Sequence, residues 1–142
     1  MLIMNPKNLN KLINDETWQR FRERLQTDEA AQVLERLVQY IIESLAARID
    51  DIQVFEDKAL MFFAGGKEII RINIGRKELR VYIHPAAGAL FEPEVDFDVG
   101  KFNLWDSSFR KTSGKYCGMS FWVSEMKDLP GVKKIIGHIP AK

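Results

Sequence analysis

The sequence predicts an α+β domain: N-terminal helices packed on a mostly antiparallel sheet of about five strands, closed by a short C-terminal helix. Three observations carry this expectation. Between Lys67 and Pro85, Ile70, Ile72 and Ile74 alternate with Arg71 and Asn73, and then Leu79, Val81 and Ile83 alternate with Arg80, Tyr82 and His84. A period of two means two half-buried strands, with β-branched residues on the dry side. Upstream, Ala30, Leu34, Leu37, Val38, Ile41, Leu45 and Ile49 recur at three- and four-residue steps, the stripe of an amphipathic helix. At Asp51 the period switches from helical to alternating.

Each element follows from local chemistry. Asn5-Pro6 suits the opening of a short helix, because proline fits the first helical position. A second piece starts at Asp15, with Trp18, Phe21 and Leu25 on one face. Thr27 reads as the N-cap of the long helix, and Asp28 and Glu29 place negative charge where the helix dipole favours it. The long stripe packs on a sheet or seams a coiled-coil homodimer. Ile52 and Val54 begin a strand, and Asp57-Lys58 marks a turn. Leu60 to Ala64 is a continuous apolar run, expected as a central strand buried on both faces. Gly65-Gly66 signals a hairpin, and Gly75 is expected to supply the positive φ of the next turn. Residues 52 to 83 thus read as a four-strand meander. Met119 to Val123 forms a last strand, Pro130 to Ile136 a closing helix, and Gly137 its stop.

The 142 residues fit one domain, with residues 1–50 helical and 51–142 holding the sheet, a loop and the final helix. A hydrophobic share of 46% and a net charge of +1 describe a folded globular chain, not one that holds nucleic acid by bulk charge. Cys117 is the single cysteine, so no disulfide forms within the chain. No run is apolar enough for a membrane span, and MLIMNPKNLN lacks the basic-then-apolar pattern of a secretory signal. The expectation is a cytoplasmic protein with no cofactor.

Two segments carry basic and aromatic residues together. The wet face of the Lys67–Pro85 hairpin presents Arg71, Arg80, Tyr82 and His84. The later stretch FNLWDSSFRKTSGKYCG carries Trp105, Arg110, Lys111, Lys115 and Tyr116. Arg and Lys would contact phosphate, and Tyr82, Trp105 and Tyr116 would stack on bases. Gly114-Lys115 is not a P-loop, because Tyr116 stands where a Ser or Thr would hold magnesium. The acidic row Glu92, Glu94, Asp96 and Asp98 reads as a charged edge instead of a metal site, since an extended row spreads its carboxylates. Asp96 with Glu125-Met126-Lys127 mimics an Asp…Glu-x-Lys nuclease pattern, but a motif this short arises by chance. With two histidines and one cysteine, no structural zinc site is expected. His84 and Cys117 are the right types for a base and a nucleophile, with no orienting third group assigned.

From about Tyr40 to His138, FEDKALMFFAGGKEIIRINIGRKELRVYI and RKTSGKYCGMSFWVSEMKDLPGVKKII resemble a small bacterial α+β domain of unknown function, found in proteins labelled "predicted transport protein". The resemblance implies a helix, a strand meander, a Gly-rich loop, a strand and a last helix. It brings no catalytic residue, and the acidic FEPEVDFD insertion departs from it. The functional expectation is a non-enzymatic binding or interaction domain for nucleic acid or another phosphate-bearing ligand. The alternatives are a small enzyme around His84 and Cys117 and a homodimeric accessory protein.

Overall fold

The computed structural model describes residues 13–92, 102–105 and 116–141, with residues 102–105 described by their backbone alone. The helix expected at Asn5-Pro6 lies outside these residues, as do Glu94, Asp96, Asp98, Arg110, Lys111 and Lys115.

Helix α1 (Asp15–Arg24) starts at Asn14, whose Oδ1 accepts the Thr17 N–H at 2.8 Å. This satisfies one of the amide donors that a helix leaves without a partner in its first turn. Helix α2 (Asp28–Ser44) starts at Thr27, whose Oγ1 accepts the Ala30 N–H at 3.2 Å. Trp18, Phe21, Val33, Leu34, Leu37, Val38, Ile41 and Ile42 are all buried in one core, which Leu45 and Ile49 extend past the end of α2. The long stripe is therefore spent inside the chain and does not form the seam of a coiled coil.

The sheet is antiparallel throughout. Strands β1 (Asp51–Phe55), β2 (Ala59–Ala64), β3 (Lys67–Ile74) and β4 (Leu79–Ile83) form the expected meander. Strand β5 (Phe102–Trp105) lies at the far edge, and β6 (Gly118–Val123) inserts between it and β4, giving the order β1-β2-β3-β4-β6-β5. The sheet thus has six strands. Phe102–Trp105, at the start of the second basic-aromatic stretch, forms a strand that the sequence did not predict. Leu60, Phe62, Ile70, Ile72, Ile74, Leu79, Val81, Ile83, Met119, Phe121 and Val123 share the core with the helices. Each such side chain contributes about 1.5–3 kcal/mol by leaving water. Helix α3 (Leu129–Ile136) adds Leu129, Val132, Ile135 and Ile136 to the same core, and Gly137 closes it in a right-handed conformation.

Two expectations need correction. Strand β2 is not buried on both faces, because the helices pack on the side that carries Leu60 and Phe62. Leu60 and Phe62 are buried, whereas Met61, Phe63 and Ala64 stay partly exposed. Gly75 does not adopt a positive φ; Gly65, Gly66 and Gly88 do. Gly75 is needed for another reason: a Cβ there would come within 2.7 Å of the Glu78 carbonyl oxygen. That oxygen accepts the Gly75 N–H at 2.9 Å and clips the β3–β4 turn shut.

One irregularity matters for function. Phe62 pairs with Ile70, but Phe63 pairs with Glu68, so Ile69 is an extra residue in β3. Ile69 and Ile70 both join the core. This β-bulge shifts the alternation by one residue, so Glu68 shares a face with Arg71.

Candidate functional site

The helices bury the inner face of the sheet, while most described residues on the outer face, Ser120 excepted, keep partial exposure. The register groups the outer residues. Arg71 pairs with Tyr82, Asn73 with Arg80, Arg80 with Trp122, and Tyr82 with Ser120. Side chains directly opposite on one face are neighbours, so these residues form one patch across β3, β4 and β6.

At the centre of the patch the Arg80 guanidinium carbon lies 4.6 Å from the Trp122 ring centroid and 5.4 Å from that of Tyr82. Its Nη2 donates to Ser120 Oγ at 2.8 Å, and Ser120 is fully buried. Two rings and a hydroxyl thus fix the guanidinium in place. Trp122 remains 49% exposed, an unusual exposure for so large an apolar ring.

The second part of the patch lies where β3 begins and β4 ends. Glu68 Oε1 accepts from Arg71 Nη2 at 2.9 Å and from Arg71 Nε at 3.1 Å. Glu68 Oε2 lies 2.6 Å from His84 Nε2. Burial holds the His84 pKa below the ordinary histidine value; Glu68 opposes this shift and Arg71 adds to it. The imidazole is therefore neutral near pH 7, positioned by a carboxylate.

Among the expected site residues, Arg71, Arg80, Tyr82 and His84 do share one face. Trp105 pairs through its backbone with Gly118, on the strand beside β6. Tyr116 is different: its backbone bridges Phe91 and its ring is partly buried against the core, so it is not presented as Trp122 is. Arg110, Lys111 and Lys115 lie outside the described residues. Glu68, Ser120 and Trp122 were not anticipated. The Ile69-Ile70 doublet, which breaks strict alternation, was the available signal for Glu68. The register of Trp122 against Arg80 had no local signal.

Continuing the β4–β6 register beyond Ile83 and Met119 sets His84 opposite Gly118, one residue from Cys117. Glu125, part of the nuclease-like pattern, is engaged structurally: it forms a capping box with Asp128 and lies 2.9 Å from Lys127 Nζ. Among the described residues no three His, Cys, Asp or Glu side chains gather as a metal site, and no helix is long and apolar enough to cross a membrane. No protein-family model, curated protein or solved structure matches the chain.

Proposed function

We propose that the protein is a non-enzymatic binding domain that takes a single-stranded nucleic acid on the outer face of its sheet. The observation that carries this reading is the half-exposed Trp122 ring, stacked on one side by Arg80, whose guanidinium also lies over the Tyr82 ring. A base stacks on the exposed part of the indole, and the neighbouring guanidinium draws the phosphate backbone. A flat sheet face with aromatic residues on central strands suits unpaired bases, which offer a π-face that a duplex hides. The small net charge fits a site that relies on stacking more than on bulk attraction.

Fluorescence anisotropy with labelled single-stranded and duplex oligonucleotides, at two salt concentrations, tests this. Single strands bind more tightly than duplex, and affinity falls as salt rises. Trp122→Ala lowers single-strand affinity by about tenfold or more, the scale of one lost base stack. Absence of single-strand binding at low salt, or full affinity in Trp122→Ala, ends the reading.

A second reading, a small enzyme around His84 and Cys117, is supported by the Glu68 carboxylate beside His84, the orienting group the sequence left unassigned. Hydrolysis of an activated ester by the protein, lost in both Cys117→Ser and His84→Ala, would support it. An unchanged rate in Cys117→Ser would remove it.

A further inference from the structure

A second site stands apart from the outer sheet face and does not rest on the reading above. A polar cleft of about 340 Å³ opens between the last turn of α1, the β1–β2 turn and the β3–β4 turn. Arg20, Glu23, Arg24, Gln26, Asp57 and Arg76 line it. Arg20, Glu23 and Arg24 follow at three- and four-residue steps and so share one face of α1.

The walls are bolted together by long-range hydrogen bonds. Arg24 Nε donates to the Ile74 carbonyl at 2.7 Å. The Gln26 N–H donates to the Arg76 carbonyl at 2.6 Å, and the Ile74 N–H to the Lys58 carbonyl at 2.7 Å. The cleft is thus preformed, and a ligand need not order it.

Its charges are unevenly committed. Arg20 is paired with Glu16 at 3.1 Å. Arg24 has Asp57 at 3.8 Å, beyond a close hydrogen bond, so both keep unused donors and acceptors. Among the described residues the Arg76 guanidinium makes no ion pair and no hydrogen bond. An anion therefore meets an open guanidinium fork on Arg76 and free donors on Arg24. The carboxylates of Glu23 and Asp57 make a site for anions alone unfavourable, but they accept hydrogen bonds from hydroxyl groups, as the Gln26 side chain also does. The volume suits one small molecule, and the polar lining gives an apolar ligand nothing to gain.

We propose that this cleft binds a small phosphorylated polyol of the sugar-phosphate class, with its phosphoryl group on Arg24 and Arg76 and its hydroxyls on Glu23 and Asp57. Isothermal titration of the full chain at low salt, with ribose 5-phosphate, ribose and inorganic phosphate as probes, tests it. Ribose 5-phosphate binds with a Kd of about a millimolar or tighter, inorganic phosphate binds several-fold more weakly, and ribose gives no heat. Arg76→Gln, at an exposed position, weakens ribose 5-phosphate by about tenfold and leaves the urea midpoint unchanged. Asp57→Asn narrows the gap between ribose 5-phosphate and inorganic phosphate. The proposal is overturned by no heat with ribose 5-phosphate up to about 10 mM, by phosphate binding as tightly as the sugar phosphate, or by wild-type affinity in Arg76→Gln. The nucleic-acid reading fails separately, through Trp122→Ala, which lies outside this cleft.

Discussion

His84 Nε2 lies 2.6 Å from Glu68 Oε2, and the contact exists because β3 carries one residue more than β2. If Ile69 sat in register opposite Phe63 instead of bulging, Glu68 would fall on the core face and a carboxylate would be buried there instead of meeting Arg71 and His84. The cost of that alternative, a charge desolvated without a partner, is larger than the cost of the bulge.

This contact sets a pH dependence of stability. The His84 pKa is lowered in the folded state, chiefly by burial. As pH falls through the ordinary histidine value of about 6.5, the unfolded chain takes up a proton that folded His84 resists. Stability therefore decreases from about pH 6.5 downward, levels off below the folded pKa, and is unaffected by His84 above that window. Urea midpoints between pH 5 and pH 8 should show this slope, and His84→Gln should flatten it. Glu68→Gln removes an influence that raises the pKa, so an NMR titration of His84 should move further down.

Glu56 is the one described residue other than glycine with a positive φ, at 50°. A side chain there costs about 1–2 kcal/mol, and glycine avoids the clash. Its ion pair with Lys58, at 3.5 Å and well exposed, offsets little of that. Glu56→Gly should raise stability by roughly 0.5–1 kcal/mol, read as a higher urea midpoint at constant m value.

Gly75→Ala should act in the opposite direction although its φ is ordinary. The new methyl group meets a backbone oxygen 2.7 Å away, which cannot swing aside as a side chain can. The turn must open or the Gly75–Glu78 bond must lengthen. A loss of about 1–3 kcal/mol in urea unfolding is expected.

Arg48 joins three parts of the chain. Its Nη1 donates to the carbonyls of Ala87 and Pro140, the latter at 3.0 Å, and its Nη2 to Ala86 at 2.8 Å. The link between α2 and β1, the 3-10 turn at Pro85–Ala87 and the C-terminal segment are tied through one guanidinium. Arg48→Met keeps most of the stem but leaves these carbonyls without their charged donor. Stability should fall by about 2–4 kcal/mol, since bonds to charged groups contribute about 1.5–3 kcal/mol each and act together here. Hydrogen exchange should rise first around Ala86 and Ala87.

Much of the fold was legible. The Thr27 cap, the α2 stripe, the Gly65-Gly66 turn, the two alternating strands and the closing helix follow from period and turn chemistry, and the structure has them where the sequence placed them. Phe102–Trp105 was not read as a strand, because four residues give too short a window for a period to emerge. Gly75 was assigned its place correctly and its reason wrongly, since a close backbone approach leaves no mark in a single sequence. In the site, Arg71, Arg80, Tyr82 and His84 were legible because alternation within one hairpin fixes the face. Trp122 was not, because its place beside Arg80 depends on β6 entering next to β4.

Which residues are dry and which are wet along each element is written in the local pattern of residues, because side-chain direction follows local backbone period and burial follows polarity. Which wet residues meet depends on how the elements assemble. Assembly inserts β6 between β4 and β5, stacks Arg80 on Trp122, turns Glu68 toward His84 through the bulge, and brings Arg76 to α1 across the cleft. Those pairings join residues far apart in the chain, and their energy comes from strand register and shared core packing, which no local window contains.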